Sequence, residues 1–239
     1  MVRLSRHGGE ALRRHHRRHV GIFRADARAG HAGRHGAGAG RGDREVRAVQ
    51  ILLIRHGATA SNRARLYLGR ADEPLCKAGI EQARARFADG LPPVEKVFVS
   101  PLRRCRQTAA ILFPDFEPVV IEAFVEIDFG RFEGQSHDQL ISGDPAYAAW
   151  LASRGEGPIP GGEDMAALRR RCRQGFLDMT AQSRGCGRIA AVAHGGTIMA
   201  VLSKFCEPPR AFYDGFVKNC GVVRCVWDGA RLRLEGGLS

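Results

Sequence analysis

The sequence predicts a layered α/β domain with a largely parallel sheet, behind an N-terminal segment of different texture. Short apolar runs alternate with longer segments whose apolar residues recur every three or four positions. Two of the three histidines beyond residue 50 stand immediately after such runs, where ligands of parallel sheets bind. A chain of 239 residues also suits one α/β domain plus an extra segment better than two domains.

Val49-Gln50-Ile51-Leu52-Leu53-Ile54 is a nearly continuous apolar run, the pattern of a strand covered on both faces, and it ends at Arg55-His56-Gly57. A helix is expected from Lys77 to Asp89, with Ile80, Ala83 and Phe87 on one face. Lys96-Val97-Phe98-Val99 reads as a second strand. Ser100-Pro101 then reads as an N-cap with proline at the first helical position. Leu102, Cys105, Ala109 and Leu112 mark the buried face of that helix. Val119 to Glu122 reads as a third strand, and about Asp164 to Gln182 as a helix striped by Met165, Leu168, Cys172, Phe176 and Met179. Ile189 to Ala193 is a fourth strand, ending at His194-Gly195-Gly196 before a short apolar helix. Val222 to Trp227 and Leu232 to Leu234 are expected to close the sheet.

The net charge of +12 is unevenly spread. Residues 1–50 hold 12 Arg against 4 acidic residues, and six of the nine histidines, so the basic balance describes a tail more than a domain. Residues 1–48 are expected to be disordered, because Arg28 to Arg44 has almost nothing large and apolar to bury; a short helix is expected around Glu10 to His19. The tail reads first as a dispensable or wrongly assigned start; a basic arm for nucleic acid, a His-rich metal site and a transit peptide, the last weakened by the scarcity of Ser, are the lesser readings. The domain is expected to span 49–239.

Seven cysteines form no CxxC pair, and no Cys/His cluster outside the tail has zinc-ligand spacing. They read as small buried thiols in a reducing, cytoplasmic setting. No apolar run approaches a membrane span, and a signal peptide's apolar core is absent. No metal or cofactor is expected.

In Arg55-His56-Gly57 the arginine favours a neutral imidazole, and the glycine lets a ligand approach the main chain. A neutral imidazole nitrogen is a competent nucleophile toward phosphorus. The tripeptide alone fits a hydrogen-bonded structural histidine better than a nucleophile. Thr59, Asn62 and Gly195 offer further phosphate donors. Arg104 falls in a first helical turn, where free N–H groups favour an anion. Paired with Arg55 it would clamp a phosphate: a unit charge pair at about 4 Å is worth roughly 4 kcal/mol at an effective dielectric near 20. A carboxyl beside a bound phosphate dianion tends to keep its proton, which suits Glu126 to protonating a leaving alcohol. His194 is expected to donate to the equatorial oxygens.

Together these residues resemble the histidine phosphatase superfamily, also called phosphoglycerate mutase-like. The segments that carry the resemblance, in order, are LLIRHGATASN, YLGRADEPL, VFVSPLRRCRQTA, VEIDFGRFEG, PGGED and VAHGG. The resemblance implies a three-layer α/β/α sandwich and phosphorylation of His56. It also implies a phosphate pocket of Arg55, Asn62, Arg104 and His194, Glu126 as proton donor, and no metal. Arg104 rather than Arg103 matches the family's arginine, and Glu133 is expected to be structural. His137 is expected to be an exposed loop residue. Departures are Ala58 for a common glutamate, Ala71 for threonine, Cys76 for Ser or Thr, and Asp164 for serine.

YLGRADEPL, DPAYAAWL and PGGED look most like the α-ribazole phosphatases of cobalamin biosynthesis. A small phosphorylated metabolite is the implied partner, without membrane or nucleic acid, for a monomer or homodimer. The compact spacing between Glu126 and His194 favours hydrolysis over a mutase-type isomerase. A broad-specificity sugar phosphatase and a non-catalytic protein with a nucleic-acid-binding tail stay as alternatives. Substrate choice is expected to come from the segment between Gly134 and Gly162.

Overall fold

The computed structural model describes residues 48–236; the disorder and the short helix expected within 1–48 lie outside the described residues, Ala48 apart. The elements run β1 (Val49–Arg55), α1 (Ala60–Arg63), α2 (Lys77–Ala88), β2 (Lys96–Val99), α3 (Arg103–Leu112) and β3 (Val119–Val120). They continue as α4 (His137–Gly143), α5 (Pro145–Ala152), α6 (Met165–Ala181), β4 (Arg188–Ala193), α7 (Gly195–Phe205), β5 (Val222–Trp227) and β6 (Leu232–Leu234). Three 3-10 turns join them, at Glu122–Phe124, Gly130–Phe132 and Phe212–Gly215.

The six strands lie in the order β3-β2-β4-β1-β5-β6. Strands β1 to β4 pair in parallel, while β5 is antiparallel to both neighbours. The alternation of side chains along each strand divides the core in two. Ile51 and Leu53 of β1, with Ile189 and Ala191 of β4, pack with the α6 stripe and α7. Leu52 and Ile54, with Ala190 and Val192, pack with Cys105, Ala109 and Leu112 of α3. This is the expected three-layer α/β/α sandwich with a mostly parallel sheet. It explains why β1 and β4 read as continuous apolar runs: both faces are covered.

Four local expectations are corrected. Ser100 does not cap α3: the helix opens at Arg103 with Leu102 as N-cap, because the Ser100 hydroxyl is held by His194. The third strand stops at Val120, since the chain turns into the Glu122–Phe124 3-10 turn. On α2 the face toward the core is Gly79 and Ala83, and Phe87 is 52% exposed. His137 opens α4, and its Nδ1 lies 2.7 Å from the buried Tyr147 hydroxyl. The helices of 137–152 were not anticipated, although Asp144-Pro145 is a start signal; Asp144 caps α5 through the amides of Ala146 and Tyr147. All seven cysteines are free, five of them buried.

Candidate active site

Parallel pairing in register builds the centre of the site. Arg55 of β1 lies opposite Ala193 of β4, and Val99 of β2 opposite Val192. The next residues are therefore His56, His194 and Ser100, on three adjacent strand ends. The His56 amide donates to Ala193 O at 3.0 Å, and the two imidazole centroids are 5.2 Å apart.

His56 is 3% exposed, and its Nδ1 lies 2.7 Å from the carbonyl oxygen of Gly57. A carbonyl only accepts, so Nδ1 carries the hydrogen and Nε2 keeps its lone pair. Burial, and then the charges of Arg104 and Arg55, hold the imidazole well below its usual pKa. The ring is neutral at neutral pH, with the Nε2 lone pair unspent. Gly57 is glycine for a steric reason: a Cβ there would lie 2.6 Å from the carbonyl oxygen of Gly79. The Gly57 amide donates to Thr108 of α3, which fixes the loop.

Arg104 is fully buried, unlike its exposed neighbours Arg103 and Arg106. Its guanidinium donates to Gly69 O, Ala71 O and, at 3.2 Å, His194 Nδ1. Because a guanidinium only donates, His194 Nδ1 accepts and Nε2 carries the hydrogen, which goes to Ser100 Oγ at 2.7 Å. Both ring nitrogens of His194 are thus engaged. One of these bonds ties His194 to the guanidinium of Arg104. Burial, then Arg104 and His56, keep this imidazole well below its usual pKa too.

Arg55 donates through Nη1 to Val217 O, and its guanidinium lies over the Phe216 ring. Its Nε is buried without a hydrogen-bond partner. Asn62 accepts at Oδ1 from the Thr59 amide and from Asn219 Nδ2, which leaves its own amide hydrogens unspent. Thr59 is used otherwise than expected: its hydroxyl caps α1 by accepting from the Asn62 amide, and it does not line the cavity. Asn219 was not anticipated, although it also holds His56 O at 3.0 Å.

Glu126 is 7% exposed and follows the Glu122–Phe124 turn. Its carboxylate accepts from the amides of Ile127 (2.9 Å) and Gly196 (3.0 Å), the latter in the first turn of α7. A Cβ on Gly196 would lie 2.4 Å from Glu126 Oε1, whereas one on Gly195 would meet Arg55 Nε at an ordinary 3.5 Å. Glu133 accepts from the amides of Gly69 and Ala71. It thereby shapes the loop whose carbonyls hold Arg104.

Arg55, Asn62, Glu126, Gly195 and Gly196 all border one cavity of about 340 Å³. The rest of its wall is largely apolar and aromatic, with Tyr67, Phe129, Trp150, Met199, Phe212 and Phe216 prominent. Of these only Trp150 comes from the 134–162 segment expected to set specificity. His56, Arg104 and His194 are buried rather than wall residues. Among the described residues no group of three or more His, Cys, Asp or Glu is placed to hold a metal ion. No described helix is long and apolar enough to cross a membrane.

A three-layer sandwich that gathers a neutral histidine and an arginine from the end of β1, a second arginine from α3 and a carboxylate from the loop after β3 is the arrangement of a phosphoryl-transfer enzyme. The chain belongs to the histidine phosphatase superfamily (branch 1), whose model matches residues 51–236. It is 30% identical over 171 residues to the adenosylcobalamin/α-ribazole phosphatase of Salmonella typhimurium, covering 68% of this chain and 82% of that protein. The crystal structure of α-ribazole phosphatase from Shigella flexneri superposes with a TM-score of 0.70 at 25% identity, over 80% of this chain and 96% of that one. A phosphoglycerate mutase structure from Thermus thermophilus matches at 33% identity and TM-score 0.61, over 80% and 99%.

Proposed function

We propose that residues 49–239 form a phosphatase domain that hydrolyses a small phosphomonoester through a phosphohistidine at His56. The observation that carries this reading is the fixed tautomer of His56, with Nδ1–H spent on Gly57 O and Nε2 free. Arg55, with one buried donor unpartnered, Asn62 and Arg104 supply the positive surroundings that a phosphoryl group needs. His194 acts by orienting Arg104.

In the first step the Nε2 lone pair forms an N–P bond while the P–O ester bond breaks. Glu126 gives its proton to the departing oxygen, which leaves as an alcohol. A phosphate dianion arriving beside a carboxyl group favours its protonated form, which prepares the acid. In the second step water attacks phosphorus, the N–P bond breaks, and the proton lost by water passes to Glu126. Inorganic phosphate leaves, and both groups regain their starting states.

The cavity wall favours a monophosphate with an apolar, planar leaving group. Arg55 is the sole cationic side chain among the described residues lining it, so a second anionic group on the substrate finds no partner there. That agrees with α-ribazole 5′-phosphate, the substrate class the relatives' names suggest, better than with 3-phosphoglycerate. Phosphate release in excess EDTA from p-nitrophenyl phosphate, α-ribazole 5′-phosphate and 3-phosphoglycerate tests the reading. Preferential hydrolysis of the ribazole ester supports it, and isomerisation of phosphoglycerate without phosphate release refutes it.

A further inference from the structure

The segment that carries Glu126 has little regular structure of its own. Between the 3-10 turns at Glu122–Phe124 and Gly130–Phe132, its carbonyls must be satisfied from outside. One side chain does most of this. Arg171, on α6, donates to Ala123 O at 2.9 Å, Val125 O at 2.5 Å and Glu126 O at 3.1 Å. The same guanidinium is gripped by both carboxylate oxygens of Glu163, at 2.6 and 2.7 Å. Glu163 is itself tied to the segment, since its amide donates to Asp128 O. From the other side, Thr197 of α7 donates to Phe124 O and Val125 O.

The other α6 arginines are placed differently. Arg169 makes a half-exposed pair with Glu156, and Arg173 is exposed. Arg171 alone among them meets backbone carbonyls. Its side chain is 19% exposed and that of Glu163 is 8% exposed, so the pair is shielded from solvent screening. A planar fork that satisfies three carbonyls and a carboxylate together fixes the backbone more tightly than an ammonium group can.

We infer that Arg171 and Glu163 are positioning residues for the proton donor, holding the backbone at Glu126 so that its carboxyl meets the leaving oxygen. The inference rests on Glu126 being that donor. General acid catalysis is worth roughly 10²–10⁴-fold, and its value depends on how badly the leaving group needs a proton. Displacing the acid therefore penalises an alkoxide leaving group and largely spares a stable phenolate.

The test is kcat/KM for benzyl phosphate and for p-nitrophenyl phosphate, two aromatic esters of similar size, in Arg171→Lys, Glu163→Gln, Glu126→Gln and Arg173→Ala. The benzyl-to-nitrophenyl ratio is independent of the folded fraction, so a partly unfolded variant still reports. The ratio is expected to fall by about 30-fold or more in Arg171→Lys and Glu163→Gln, further in Glu126→Gln, and to stay unchanged in Arg173→Ala. An unchanged ratio in the Arg171 and Glu163 variants, with a lowered one in Glu126→Gln, overturns the inference and leaves Glu126 as the acid. An unchanged ratio in Glu126→Gln as well overturns both.

Discussion

Lowering the pH from 7.5 to 5.5 should cost this protein stability through its two buried histidines. His56 and His194 are 3% and 0% exposed, and burial with nearby guanidiniums holds both folded-state pKa values well below 6.5. The unfolded chain has no such environment and titrates near the ordinary value. Between the folded and unfolded pKa values the unfolded state binds more protons, so stability rises with pH across that window. The contribution is fully present above about 6.5 and is lost as pH falls below it. From pH 7.5 to 5.5 proton uptake by the two histidines of the unfolded chain favours that state by roughly 3 kcal/mol in all. Urea unfolding at both pH values measures this. His137 is exposed and remains in every variant. The double variant His56→Asn/His194→Asn should therefore lose roughly 3 kcal/mol less than the wild type over the same interval. Equal losses in the two proteins would show that the imidazoles are not held neutral, and would remove the basis for a free Nε2 nucleophile.

Other consequences are more local. Gly196→Ala places a Cβ 2.4 Å from Glu126 Oε1, so the carboxyl must move; kcat/KM should fall about 100-fold, the scale of an ångström's misplacement, and near-normal kinetics would contradict the placement. Cys76 is the N-cap of α2 but makes no side-chain cap bond. Cys76→Ser should add about 0.5–1 kcal/mol in urea unfolding, whereas a loss of stability would contradict the cap geometry. Asn219→Ala removes the donor that orients Asn62, and inhibition by inorganic phosphate should weaken about 5- to 10-fold, as for one lost hydrogen bond. Unchanged inhibition would leave Asn219 with its bond to His56 O alone.

Much of this was legible in the chain because the relevant physics is local. The apolar runs of β1 and β4 announced their double burial, and all five residues of the α6 stripe are buried, with Gly175 beside them. What failed depended on partners distant in sequence. Ser100 looked like a helix cap because its competing partner, His194, arrives 94 residues later. Arg171 was hidden among four arginines of one helix, and only its position beside the buried Leu168 and Gly175 sets it apart. The cavity wall gathers side chains from Arg55 to Phe216, so no single segment could reveal it.

The departures from the family pattern also have structural accounts. Ala71 serves through its carbonyl oxygen, which Arg104 contacts, so the side chain is free to vary. Asp164 caps α6 through Ala167 N, as a serine would. Cys76 is the departure with a cost, a helix start without its cap.

The central claim is that phosphorus becomes bonded to His56. Rapid mixing with a ³²P-labelled substrate, quenched in alkali within a turnover and followed by peptide mapping, tests it most directly. Acid-labile, alkali-stable label is expected on the peptide containing His56, and none in His56→Asn. Full turnover with no label on that peptide, or label that persists in His56→Asn, would contradict it.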